Sequence, residues 1–104
     1  MAQLMRRRKC YISGRISGLP RGVTERNFSS AVLQVFKMGY IPVNPMNTPL
    51  PYWWPWILHM LYDCCVLMGC DAIALQENWR ESRGARIEHR LAIYLGKEII
   101  RLSF

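Results

Sequence analysis

Four short apolar segments, each separated from the next by a stretch of helical periodicity, constrain this chain more than any other feature. Cys10 to Ser13, Tyr40 to Val43, Cys70 to Leu75 and Glu98 to Leu102 have the length of buried strands rather than of helices. Between the first two, Phe28, Ala31, Val32, Val35 and Phe36 fall on one stripe of a helix that opens near Thr24 as its cap and stops at Gly39. A second helix, roughly Pro55 to Met68, has Ile57, Leu61, Cys64 and Met68 as its core stripe. Trp56, Met60 and Leu67 extend its apolar character around a second face, from which Asp63 projects. A third, ending near Leu95, buries Ile87, Leu91, Tyr94 and Leu95; Glu88 falls at the edge of that stripe beside Gly84, and Arg83, Arg86 and Arg90 take the other flank.

Alternating strands and helices call for a parallel sheet with right-handed crossovers and helices on both faces. The expected architecture is a three-layer, doubly wound α/β domain of the flavodoxin or Rossmann-like kind, with four parallel strands in the order 2-1-3-4. Ligands bind such sheets beyond the carboxyl ends of the strands where the winding reverses, here between the first and third strands. Two loops reach that place: Gly14-Arg15-Ile16-Ser17-Gly18 and the stretch from Gln76 to Ser82.

Both loops have chemistry suited to a ligand. Positions 84 and 88 lie a turn apart on one helix face, so the missing side chain of Gly84 predicts open space above the Glu88 carboxylate. Ser82 is a good N-cap, and the free N–H groups and dipole of that first turn favour an anionic group such as phosphate. Ser13, Gly14, Arg15, Ser17 and Gly18 suit close backbone approach and anion contact, although the P-loop lysine and the G-x-G-x-x-G spacing are both missing. From Pro45 to Trp56 four prolines accompany Tyr52, Trp53, Trp54 and Trp56 in a stiff aromatic loop. Trp53 and Trp54 are candidates to stack on a nucleobase; the same rings would equally cap the core or close an interface. Among the carboxylates, Asp63, Asp71 and Glu88 sit in apolar context, whereas Glu25, Glu77, Glu81 and Glu98 read as solvated. Asp71 opens a strand at the end away from the site and reads as structural; Asp63 either pairs locally or serves as a proton donor or ligand to a base. His59 and His89 read as surface residues.

A chain of 104 residues, 51% of them hydrophobic, has material for one core, placed in a single domain over residues 10–104 behind a basic arm over residues 1–9. The net charge is +7, but Arg6, Arg7, Arg8 and Lys9 supply four of those charges, leaving ten cations against seven carboxylates. The arm reads as solvated, and nucleic acid is not an expected partner on that basis. Charges occupy the place of a signal peptide's apolar segment, and no apolar run reaches the roughly eighteen residues of a membrane span. A cytoplasmic protein is expected. Cys10, Cys64, Cys65 and Cys70 have neither a zinc-site nor a disulfide-framework spacing and read as buried reduced thiols, so no metal or cofactor is expected. A helix apolar on two sides in so small a domain points to a homo-oligomer.

These residues resemble the nucleoside 2-deoxyribosyltransferase superfamily, most closely its small bacterial and phage branch, over nearly the whole chain. Tyr11-Ile12-Ser13-Gly14-Arg15-Ile16-Ser17-Gly18 is similar to the opening strand and glycine loop of that family, and Asn44-Pro45 to the end of its second strand. The more specific block is Cys70-Asp71-Ala72-Ile73-Ala74-Leu75, then Trp79, then Ser82-Arg83-Gly84-Ala85-Arg86-Ile87-Glu88-His89. The resemblance implies a carboxylate nucleophile at Glu88 that attacks the anomeric carbon of a deoxynucleoside or its monophosphate, with Asp63 protonating or holding the departing base. It further implies a 5′-phosphate held at Ser82 and Gly84, with Tyr11, Ser13, Gly14, Arg15, Ser17, Gly18 and Arg83 completing the substrate site. Arg83, Ala85 and Arg90 stand where the transferases usually carry an acidic residue, a threonine and a small residue, and the added arginines favour a more anionic ligand. Two other readings stay open: a non-catalytic nucleotide-binding or sensing domain, and a basic oligomeric interaction module.

Overall fold

The computed structural model describes residues 8–103. Of the basic arm, residues 1–7 lie outside the described residues; Arg8 pairs with Glu98 at 3.1 Å, and Lys9 already belongs to the first strand. The elements run β1 (Lys9–Ser13), α1 (Arg21–Lys37), β2 (Ile41–Val43), α2 (Trp56–Met68), β3 (Ala72–Leu75), a 3-10 turn (Trp79–Glu81), α3 (Arg83–Tyr94) and β4 (Glu98–Arg101). The strands form one parallel sheet in the order β2-β1-β3-β4, the order expected from the sequence. Among the described residues no helix is long and apolar enough to cross a membrane.

Strand alternation sorts the interior into two cores. Cys10 and Ile12 of β1 and Ala72 and Ala74 of β3 face α1, where they meet Phe28, Ala31 and Val35 at a 3–4 residue spacing. Tyr11, Ile73 and Leu75 face the other way, against Leu67 of α2 and Ala92 of α3. Ser13 shares the parity of Tyr11 and is buried with it.

All three helices depart from their expected faces or ends. Helix α1 begins at Arg21, three residues before Thr24; Thr24 is buried in the first turn, its hydroxyl donating to the Pro20 carbonyl at 3.3 Å. Pro20 is favourable there because its fixed φ leads into the helix and its carbonyl is free to accept from Val23 and Thr24. The same helix leaves Phe36 exposed. Helix α2 is turned by about one residue from expectation: Met60 and Leu67 are buried, while Ile57, Leu61 and Met68 stay more than half exposed. In α3 the buried face is Ala85, Glu88 and Ala92, whereas Ile87 and Leu95 are exposed and Tyr94 is 87% exposed. Small alanines let α3 lie close on the sheet, which puts Glu88 at the centre of the buried face rather than at its edge.

The thiols also divide. Cys10 and Cys70 are buried, Cys64 is half-buried and Cys65 is exposed, all four free. Burial pushes the Cys10 thiol up to about 12, so it stays neutral.

Candidate active site

Past the carboxyl ends of β1 and β3 lies an open cavity of about 800 Å³, of a size that holds a small-molecule ligand. Its floor is the Glu88 carboxylate. Tyr11 and Ser13 stand two residues apart on the face of β1 that α3 covers, so both hydroxyls reach one side chain from below. The Tyr11 hydroxyl donates to Glu88 Oε2 at 2.7 Å and the Ser13 hydroxyl to Oε1 at 2.8 Å. Each oxygen keeps a further lone pair directed away from its donor.

Burial raises the Glu88 pKa to about 7, against the lowering effect of the two hydroxyl donors; the nearby Asp63 charge adds to the rise. Tyr11 is driven upward too, first by burial and then by the Glu88 charge, and therefore remains a donor across the physiological range. Asp63 lines the same cavity from α2. Its carboxyl is pushed up to about 6 by burial, with His59 one turn earlier pulling it down, and it makes no hydrogen bond or ion pair among the described residues. Two carboxyl groups that titrate near neutrality thus face one cavity from two different helices.

The residues singled out in the sequence separate into three groups. Tyr11, Gly14, Ser17, Ser82, Arg83, Gly84, Trp54, Asp63 and Glu88 line the cavity. Ser13 acts on it only through Glu88. Arg15, Gly18 and Trp53 do not line it. Arg15 folds back, pairing with Glu81 at 3.1 Å and donating from Nε to the Ser17 carbonyl, with its guanidinium lying where a Cβ on Gly18 would sit. Trp53 is 72% exposed and meets Trp54 edge-on at 6.5 Å. Ser82 caps α3 as expected, its Oγ accepting from Ala85 N at 3.1 Å.

The space at Gly84 is not open. A Cβ there would come within 3.0 Å of the Met60 sulfur, so the glycine permits α2 and α3 to approach closely instead of leaving a hole. Gly14 has a similar reason: a Cβ would strike the amide of Gln76, which is fully buried with both amide atoms unpartnered among the described residues.

Neither histidine is simply a surface residue. His59 lines the cavity and sits 3.0 Å from the Pro51 carbonyl, tying α2 to the aromatic loop. His89 is half-buried and stacks on Trp79 with centroids 4.4 Å apart. Trp56, Met60 and Arg21 also line the cavity, though the sequence did not mark them for it. A usable signal existed in α2. When a helix is apolar nearly all round, its one imidazole and one carboxyl a turn apart, His59 and Asp63, mark the side facing a polar cavity.

Residues 8–101 match the family described as Domain of unknown function (DUF4406). The fold is shared with a 2-deoxyribosyltransferase from Leishmania mexicana, 18% identical, with 92% of this chain superposing at a TM-score of 0.66. This chain spans 64% of the length of that protein. It is shared also with a 2-deoxyribosyltransferase from the psychrotolerant bacterium Bacillus psychrosaccharolyticus, 15% identical, covering 89% of this chain and 70% of that one at a TM-score of 0.68. No curated protein matches the chain.

Proposed function

We propose that this chain, which belongs to the DUF4406 family, breaks or exchanges the N-glycosidic bond of a nucleoside or nucleotide, with Glu88 as the nucleophile. The observation that carries this reading is a buried carboxylate with both oxygens held by hydroxyls at the floor of a cavity that also holds Asp63. Such an arrangement is preorganised for an oxocarbenium-like centre: its donors fix the carboxylate, and its low-dielectric surroundings strengthen attraction to developing positive charge. A Glu88 oxygen bonds to the anomeric carbon as the C–N bond breaks and its electron pair departs with the base nitrogen. Asp63 gives that nitrogen a proton or holds it by a hydrogen bond. Water or an acceptor base then attacks the anomeric carbon and releases the Glu88 carboxylate. The 2-deoxyribosyltransferases that share the fold support a nucleoside as the substrate class.

The rim favours a phosphorylated substrate. The first residues of α1, α2 and α3 all reach the cavity, none of the three helices has an acidic residue in its first turn, and Arg21 and Arg83 stand there as cations.

The test is a panel of nucleosides and nucleoside monophosphates incubated with the protein and followed for free base by mass spectrometry. Glu88→Gln should lower release by at least about 10³-fold with the fold retained, as loss of a nucleophile does. Equal release by both proteins overturns the assignment. The pH profile adds a sign. Glu88 must be ionised, so the rate is lost as pH falls below about 7; a proton on Asp63 is lost as pH rises above about 6. If Asp63 is the donor, the rate is bell-shaped with its maximum between these values, and Asp63→Asn removes the alkaline limb.

A further inference from the structure

The tertiary structure gathers arginines that are scattered in the sequence. Three elements bring Arg80, Arg90 and Arg101 around His89, whose imidazole is held below its ordinary pKa first by burial and then by those three guanidinium groups. Arg80 lies 5.1 Å above the Trp79 ring, Trp79 stacks on His89, and Arg86 donates to the Arg80 carbonyl at 2.7 Å. On α3, positions 83, 86 and 90 follow one another at helical spacing. Arg83 lies 4.7 Å above the Trp56 ring at the cavity rim. Two guanidinium–ring pairs, Arg83 on Trp56 and Arg80 on Trp79, thus flank the row of arginines on α3, and Arg101 at the end of β4 adds its charge to the same side.

All five arginines on this track are exposed, and none has an ion pair with a carboxylate among the described residues. No ion pair among the described residues joins them to Glu77, the exposed acid three residues before Arg80. Glu81 is turned to Arg15, and Glu98 bonds to Tyr40 on the α1 face of the sheet. Arg8 and Lys9, the described residues of the basic arm, lie at the start of β1, the opposite end of the strands from the 3-10 turn and Arg101.

We infer that this track binds the backbone of a single-stranded nucleic acid along the rim of the cavity. Guanidinium groups match phosphate geometry, and Trp56 at the cavity rim and Tyr94, one turn beyond Arg90 on α3, are exposed rings on which bases stack irrespective of sequence. Ile87, Ile93 and Tyr94 are also exposed on α3, so an anionic lipid surface is the competing occupant that the vesicles in the test exclude. The surface stands on its own residues; that a strand would present a nucleotide to Glu88 rests additionally on the proposed function.

The experiment is fluorescence anisotropy of labelled oligodeoxynucleotide and oligoribonucleotide with the full chain between 50 and 200 mM salt. The expected result is binding whose logarithm falls with log salt at a slope of about −3, for four to five phosphates neutralised on a single strand. Arg80→Gln/Arg90→Gln/Arg101→Gln should weaken it at least tenfold and flatten the slope by about 2, since each exposed change leaves the packing untouched. Equal binding by the triple variant, or equally tight binding of poly-glutamate or of phosphatidylserine vesicles, overturns the inference. Strand binding without base release supports this surface and sinks the enzyme; base release from free nucleotides without strand binding does the reverse.

Discussion

The two faces of the sheet are built from the same strands and do opposite things. On the α1 face, Cys10, Ile12, Ala72 and Ala74 meet Phe28, Ala31 and Val35 in a cluster of apolar side chains. On the other, Tyr11 and Ser13 put hydroxyls under a carboxylate that burial disfavours, beside a second carboxyl. A shift of one residue along β1 separates a stabilising position from a functional one, because successive side chains leave the sheet in opposite directions. The division teaches that both layers contribute an apolar core, while the cost of burying carboxyl groups falls on one of them.

That division can be broken by experiment. The largest stability effect should come from the apolar face: Ile12→Ala, one residue from Tyr11 and Ser13 but outside the cavity lining, should lower the unfolding free energy in denaturant titrations by about 2–5 kcal/mol, the usual cost of truncating a buried aliphatic side chain. Base release at a temperature where the variant is folded should be unchanged; a parallel loss would mean that the layers are not separable.

On the site face the sign reverses. Glu88 has its folded pKa raised from 4.5 to about 7, so its contribution to stability is fully present below about 4.5 and is lost as pH rises through 7. Above that the folded state carries a buried charge costing about 3 kcal/mol, from 1.36 kcal/mol per pKa unit. Glu88→Gln should therefore melt higher than the parent at pH 8 and show little difference at pH 4.5. A lower melting temperature at pH 8 would show that the carboxylate holds the fold together instead of straining it.

Tyr11→Phe is subtler. Loss of a hydrogen bond to a charged group costs about 1.5–3 kcal/mol, and here the cost falls on the ionised form of Glu88. The acid limb of the activity profile should move to higher pH, so that the rate falls more at pH 6 than at pH 8; a uniform loss would place Tyr11 on the substrate. The smallest effect is expected at Gln76. Replacing an unpartnered buried amide by a thioether of similar shape, Gln76→Met, should stabilise the protein by about 1 kcal/mol, measured as a rise in the denaturation midpoint. Destabilisation there would mean that the amide has a solvent or ligand partner.

The strands, their order and the crevice between β1 and β3 were legible because a 104-residue alternation of strand and helix patterns leaves few ways to cover a sheet on both sides. The inward faces of α2 and α3 were not. With Trp56, Ile57, Leu58, Met60, Leu61 and Leu67 spread around α2, periodicity has no preferred direction, and which residues go inward depends on the shape of the neighbouring surface. On α3 the pattern of large side chains pointed to Ile87 and Tyr94, whereas close packing selected Ala85 and Ala92 and took Glu88 inward with them. Arg15 and Trp53 carry the right chemistry in the right loops, yet local pairing and exposure turn them from the cavity.

What the sequence by itself determined is the scaffold and the neighbourhood of its site: hydrophobic periodicity and crossover handedness are properties of short segments and survive without knowledge of their partners. Only the tertiary structure decided that two hydroxyls 75 and 77 residues away in the chain would hold Glu88, that Asp63 would face it, and that arginines from three elements would share one flank. Those facts depend on distances between segments, and burial and charge take their values from such distances.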